Sequence, residues 1–235
     1  MTNLFDLKTF HIPVSQGPIV SIILILLVFV PMLLCVAWMT IIERKVMGSM
    51  QRRIGPNVVG YYGVLQPFAD ALKCVVKEQI IPAQSNKALF FLAPMISLVF
   101  SLLGWAPIPF GPGMAITDIS IGILFSLAVS SIGVYGALFA GWAANSKYSF
   151  LGSLRATAQM VSYELIFSTC VFAVVLLAGS LNFTTIVQAQ TAIWFIVPLF
   201  PIFILYLISA LAELNRTPFD LPEAESELVL SLIHI

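Results

Sequence analysis

Long apolar runs separated by polar segments set the pattern of this 235-residue chain. Five predominantly apolar stretches are long enough, as helices rising 1.5 Å per residue, to cross all or most of a hydrocarbon core of ~30 Å. They cover residues 18–42, 88–105, 119–144, 154–179 and 191–212. The pattern therefore predicts an all-α, polytopic membrane protein with five transmembrane helices, folded as a single membrane domain over residues 1–235.

The polar segments include two larger loops, residues 43–87 and 213–229. In the first loop, apolar residues recur at helical spacing from Val64 to Ile81, which predicts an amphipathic helix in the membrane interface. In the third apolar stretch, small residues recur every four positions, at Gly122, Ser126 and Ser130 and again at Gly136, Ala140 and Ala144. Small residues let helix backbones approach closely in lipid, so this helix is expected inside a bundle.

Composition excludes a soluble domain and argues against nucleic-acid binding. Hydrophobic residues make up 60% of the chain and charged residues only 9%, and the net charge is zero. The cysteines and histidines show no spacing typical of a metal site, so no bound metal is expected. With five spans, every Lys and Arg except Lys8 falls on one side of the membrane. The positive-inside rule assigns that side to the cytoplasm or the mitochondrial matrix and places the amino terminus on the other.

The fifth apolar stretch ends in Glu213 and passes directly into an acidic segment. Four further carboxylates follow it with one cation, Arg216, among them: Asp220, Glu223, Glu225 and Glu227. Prolines interrupt any helix here, since Pro218 and Pro222 lack a backbone donor. Apolar residues between the charges favour a loop folded back against protein, and a solvated acidic loop is the alternative.

Glu164 is a charged group in the fourth apolar stretch. It lies nine residues after Arg155, about 14 Å farther along a helix axis, which places it near mid-membrane. An ionised group there costs several kcal/mol unless it is paired, hydrated or protonated, so Glu164 is expected to face protein or water. Thr157 and Ser168 would add polar atoms to the same face. Together with Glu213 and the acidic segment, Glu164 forms a candidate chain of acids for proton movement, and a purely structural carboxylic acid is the alternative.

The cations Arg44, Lys45, Arg52 and Arg53 follow the first apolar stretch. Such juxtamembrane clusters commonly anchor a helix at lipid phosphates. Arg53 is followed by the turn sequence I-G-P-N, which fixes the backbone and directs the side chain. Farther on, Asp70 shares a helix face with Lys73 and Lys77, an arrangement that also serves simply to stabilise a helix.

Four motifs resemble one known family. They are E-R-K-V-M-G-S-M-Q-R-R-I-G-P-N-V-V-G from Glu43, G-V-L-Q-P-F-A-D-A-L-K from Gly63, G-S-L-R-A-T-A-Q-M-V-S-Y-E from Gly152, and A-E-L-N-R-T-P-F-D-L-P-E-A-E-S-E-L-V from Ala212. They are similar to chain 1 of respiratory complex I, the NADH:ubiquinone oxidoreductase, and the likeness covers residues 17–229. The wording G-W-A-A-N-S-K-Y-S-F-L-G from Gly141 resembles the mitochondrial form most.

The resemblance implies a core membrane subunit of a proton-pumping enzyme in the mitochondrial inner membrane, with the amino terminus on the intermembrane-space side. It implies that Arg44, Arg53 and Asp70 belong to the passage of the substrate ubiquinone. The charged path to the proton channels would comprise Arg155, Glu164, Glu213, Arg216, Asp220, Glu223, Glu225 and Glu227. The subunit would carry no catalytic residue or redox centre, and NADH, FMN and the iron–sulfur clusters would be bound by partner subunits.

The implied partners are the quinone-module subunits of the peripheral arm, the neighbouring small membrane subunits and the lipid bilayer. After Val229 the family continues with three further spans, whereas this chain reads L-S-L-I-H-I. The sequence is therefore expected to be either a partial product or one half of a split gene, whose second polypeptide supplies the last helices. Two other functions remain open at this point: a proton-coupled secondary transporter and a structural anchor for a peripheral enzyme.

Overall fold

The computed structural model describes residues 17–78, 80–111, 115–216 and 218–219. Over these ranges the backbone is helical or irregular, without a strand. The helices are α1 Gly17–Met50, α2 Gln66–Val76, α3 Lys87–Leu103, α4 Gly122–Ala143, α5 Lys147–Ala178, α6 Phe183–Ala189 and α7 Phe200–Glu213. The all-α, polytopic fold class is thus confirmed. The described residues up to Ile80 form one compact unit and those from Ile81 form a second, and the single domain over residues 1–235 stays a prediction.

In the first unit, α1 packs against α2. The helix α1 has 34 residues and continues past the predicted end at residue 42, through the basic cluster to Met50. The predicted amphipathic helix is shorter than its apolar pattern, beginning at Gln66 and ending at Val76. Its start is set by a proline in the first turn, where a missing N–H costs nothing. Its end is set by Lys77, which takes an extended conformation.

In the second unit, α4 packs between α3 and α5, and α5 also contacts α6 and α7. Two glycines of α4 allow the close approach. A Cβ at Gly136 would lie 2.0 Å from the Ser97 Oγ of α3, and a Cβ at Gly141 would lie 2.1 Å from the Ser153 Oγ of α5. The prediction that the small residues of this helix face other helices is therefore confirmed.

The three long helices α1, α4 and α5 are each long and apolar enough to cross a membrane. The helix α5 begins at Lys147 rather than at residue 154, because the Ser146 hydroxyl caps it by accepting from the Ser149 N–H at 3.3 Å. It ends where Gly179 takes a left-handed conformation, φ 67°. The helix α3 has 17 residues and is also apolar.

The predicted fifth span, residues 191–212, is wrong over its first part. Residues 191–199 are irregular, and α7 has only 14 residues, about 21 Å of helix. The prolines explain the difference, because the residue before a proline avoids the helical region and Pro201 fits best in a first turn. The short helix α6, capped by the Asn182 side chain, was not predicted.

Candidate functional site

Glu164 lies near the middle of α5 and faces α4. Its Oε1 contacts two hydroxyls on that helix, those of Ser130 at 3.0 Å and of Ser131 at still shorter range. The prediction that Glu164 faces protein is confirmed. Thr157 and Ser168 do not supply the contacts, since their hydroxyls donate to carbonyls of their own helix.

Glu213, the last residue of α7, approaches Glu164 across the contact between α5 and α7. The two carboxyl groups are near enough to interact electrostatically. Tyr206, two turns earlier on α7, interacts with Glu213 in the same way. Its ring also packs on Phe167 of α5, with ring centroids 4.8 Å apart. The structure therefore brings together two of the predicted charge-path residues, one on each helix.

The beginning of the acidic segment is attached to α5 by Gln159. This side chain is only 4% exposed, and its Nε2 donates to the carbonyls of Ala212 and Phe219, each at 2.7 Å. The Phe219 ring packs on Tyr163, with centroids 5.5 Å apart. For these described residues, the loop is folded against protein as predicted. The four later acids, Asp220, Glu223, Glu225 and Glu227, lie outside the described residues.

The two arginines of the predicted charge path lie on either side of these groups in the sequence. Arg155 lies within α5, rather than at its beginning as the sequence pattern suggested. Arg216 lies in the turn after α7, where its carbonyl accepts from the Phe219 N–H at 2.7 Å. Arg216 is thus part of the turn that Gln159 holds.

In the first unit, Arg44 and Asp70 form an ion pair between α1 and α2. Arg44 Nη1 lies 2.6 Å from Asp70 Oδ2, and Gln66 Nε2 donates to the other carboxylate oxygen at 2.9 Å. The hydrogen bond from Arg44, helped by that from Gln66, holds the pKa of the Asp70 carboxyl below its ordinary value. Arg53 does not join them, because its Nε donates to Gln51 at 2.6 Å. Two of the three predicted quinone-passage residues are therefore in contact.

The turn between α1 and α2 is held by Lys45, which the sequence pattern presents only as one cation of a cluster. Its Nζ donates to the carbonyl of Tyr62, a residue with φ 52°. Next to it, Gly63 has φ 76°, and a Cβ there would lie 2.2 Å from the Pro56 carbonyl oxygen. The glycines around the Tyr-Tyr pair were the available signal for a fixed turn.

Three side chains near Glu164 and Glu213 were missed as site residues. Ser130 was assigned only to packing, and Ser131 and Gln159 were not singled out. Gln159 carried a usable signal, since a glutamine in an apolar span needs partners for the same reason as Glu164. Within the described ranges, no group of three or more His, Cys, Asp or Glu side chains is placed to hold a metal ion.

Comparison with known proteins gives the family. The profile of the family described as NADH dehydrogenase matches residues 23–233. The chain belongs to this family. It is 73% identical over 205 residues to NADH-ubiquinone oxidoreductase chain 1 of Mycosarcoma maydis, covering 87% of this chain and 62% of that protein. It is 60% identical over 211 residues to the chain 1 of Podospora anserina, covering 90% and 58%.

A bacterial relative is similar to almost the same degree. This subunit of the NADH-quinone oxidoreductase of Rhodospirillum centenum is 57% identical over 205 residues, covering 87% of this chain and 61% of that protein. The chain thus spans about three fifths of the length of these curated relatives. The family resemblance seen in the four motifs is confirmed.

Proposed function

We propose that this chain is part of the membrane subunit of an NADH:ubiquinone oxidoreductase of the mitochondrial inner membrane, with its amino terminus on the intermembrane-space side. Family membership and the names of the relatives support this assignment. The long apolar helices support a multi-pass position in lipid. Ubiquinone is the substrate, and the peripheral-arm subunits that carry NADH, FMN and iron–sulfur clusters are the partners.

Within that enzyme, Glu164 and Glu213 are the membrane-embedded part of a charged path. The observation that carries this proposal is the approach of the two carboxyl groups across α5 and α7, with Glu164 also hydrogen-bonded to α4. Two like charges in a poorly hydrated interface disfavour being ionised together. Proton uptake by one group is therefore coupled to proton release by the other, which makes the pair a relay.

The path extends from this pair toward the acidic segment. Arg155, Arg216, Asp220, Glu223, Glu225 and Glu227 complete it by their match to the family motifs. The attachment of Ala212 and Phe219 to Gln159 supports this extension, because it fixes the chain immediately before Asp220. A change of charge at the acidic segment would then be felt by Glu213 and Glu164 in turn.

The ion pair of Arg44 and Asp70 belongs to the quinone passage, together with Arg53. A guanidinium offers several donors for the carbonyl oxygens of a quinone head group. Reduction of a quinone to a quinol takes up two protons, so it alters the charge balance around such a pair. The exposure of both side chains, 50% for Arg44 and 39% for Asp70, leaves them accessible to a ligand.

The test replaces each carboxyl by its isosteric amide in the assembled enzyme. Glu164→Gln and Glu213→Gln remove a proton-exchanging group and keep its volume, so we expect proton translocation to fall severalfold while the complex still assembles. Glu78→Gln is the matched control, since Glu78 is an exposed carboxylate after α2 and should leave translocation unchanged. Normal proton-to-electron ratios in both variants would refute the charged path and favour a structural anchor.

A further inference from the structure

We infer that Ser130 and Ser131 are positioning residues for Glu164, holding its carboxyl group in one place in both its protonated and its ionised state. This inference rests on the proposed function of Glu164 as a proton-exchanging group. It adds two α4 hydroxyls to a path otherwise composed of charged side chains.

Each serine hydroxyl lies between two oxygen atoms. On one side is the Leu127 carbonyl, 2.9 Å from Ser130 Oγ and 3.0 Å from Ser131 Oγ. On the other side is Oε1 of Glu164, which both hydroxyls reach. A hydroxyl has one hydrogen and two lone pairs, so each serine donates to one of these oxygens at a time.

The two protonation states of Glu164 use this arrangement differently. An ionised carboxylate only accepts, so both serine hydrogens turn toward Oε1. A protonated carboxyl donates to one serine oxygen, and the hydrogen of that serine turns to the Leu127 carbonyl, which has a lone pair beyond its helix bond. Both states keep their hydrogen bonds with the same heavy-atom positions. Proton exchange then needs only the rotation of a hydroxyl.

The serines favour the ionised state of the two. They supply two donors to the carboxylate but accept only one bond from the neutral acid, and donors to the charged form stabilise that form. The other titratable groups around Glu164 act differently. On α7 these are Glu213, a like charge, and Tyr206 behind it. On α4 the titratable side chain is Tyr135, whose ring packs on Phe139.

The test is the double variant Ser130→Ala and Ser131→Ala in the assembled enzyme. Losing both donors makes proton release from Glu164 harder, so we expect the limb of the pH–activity profile that Glu164 governs to move upward by about one pH unit, a tenfold change in proton affinity. Replacement of both serines by Thr keeps the hydroxyls and should restore the wild-type profile. Ser126→Ala is the matched control, because that hydroxyl donates only to Gly122 O of its own helix, at 3.1 Å.

Two further measurements separate this inference from the proposed function. The infrared band of the Glu164 carboxyl, identified by its loss in Glu164→Gln, should shift in the serine variant whether or not the group takes part in pumping. In the Glu164→Gln background, the serine replacements should add no further change to the pH profile. If the double variant does not assemble, Ser131→Ala alone should shift the band.

The outcomes are distinct. An unchanged carboxyl band in the serine variants, or an equal shift in Ser126→Ala, would overturn the inference and leave the charged path standing. Normal pumping by Glu164→Gln would overturn the charged path, and the infrared result would still decide whether the serines hold the carboxyl.

Discussion

Gln159 offers the clearest test of how the acidic segment is attached to the helical unit. Each of its two hydrogen bonds, to Ala212 O and Phe219 O, contributes about 0.5–1.5 kcal/mol net. Gln159→Leu removes both, so the attachment should weaken by about 1–3 kcal/mol, a roughly 5- to 150-fold rise in the opening equilibrium. We expect the lower end of that range, because Leu also removes Oε1, which is buried without a partner among the described residues.

Gln159→Glu should weaken the attachment more than Gln159→Leu. It replaces the donor nitrogen by a carboxyl oxygen that faces two carbonyl oxygens, so the contact becomes repulsive unless the carboxyl is protonated. The physical reason is that each carbonyl then loses a donor and also meets a second acceptor in a buried position.

Hydrogen exchange followed by mass spectrometry measures this opening in the assembled protein. The reporters are the amides of Asn215, Arg216 and Phe219, which donate to backbone carbonyls within the turn. Gln190→Leu is the matched control, since that side chain bonds Ile186 O and accepts from the Phe195 N–H. It should speed exchange at Phe195 and leave the reporters unchanged.

Unchanged exchange at the reporters in both Gln159 variants, with a normal response at Phe195 in the control, would refute the assignment of Gln159 as the attachment. Faster exchange throughout α7 would also count against it. That pattern would mean that the substitution loosens the whole helix rather than the turn after it.

Two further predictions concern packing and charge. Gly136→Ala should lower the stability of the second unit by about 1–3 kcal/mol, seen as a lower Tm, because its Cβ would meet Ser97 Oγ at 2.0 Å; Gly152→Ala, with nothing within 4 Å, should not. The lowered pKa of Asp70 means that its pair with Arg44 stabilises the protein above pH 3.8, the ordinary carboxyl value, and that this contribution is lost as the pH falls through the lowered pKa. The Tm difference between wild type and Asp70→Asn should therefore narrow in acid, and a difference that persists unchanged would contradict the pairing.

The length of an apolar run predicted the membrane helices well where nothing interrupted the chain. It located α1, α4 and α5, although their ends are set by local signals that hydropathy ignores. Ser146 extends α5 toward the amino terminus by capping it. Pro201 delays the start of α7 to Phe200, although residues 191–199 are as apolar as a helix in lipid.

The site divides in the same way between what a sequence carries and what packing adds. Glu164 and Glu213 were found because lipid makes a charged group costly at any position along a span. Their partners were not found, because Ser131 and Gln159 meet them only through the way α5 packs on α4 and α7. A pair separated by 33 residues, as Ser131 and Glu164 are, leaves no trace in local spacing.

The same packing argues against a self-contained secondary transporter. Such proteins bind their substrate where a membrane helix is broken, and their coupling acids lie at that break. Here the irregular residues 191–199 adjoin a cavity of about 510 Å³ lined almost wholly by apolar side chains, with Gln190 and Tyr206 as the polar exceptions. Glu164 and Glu213 are not among its lining residues. A polar substrate would thus lose its hydration without gaining partners, and the carboxyl pair could not sense its arrival, so the acids are better explained as a path than as a binding site.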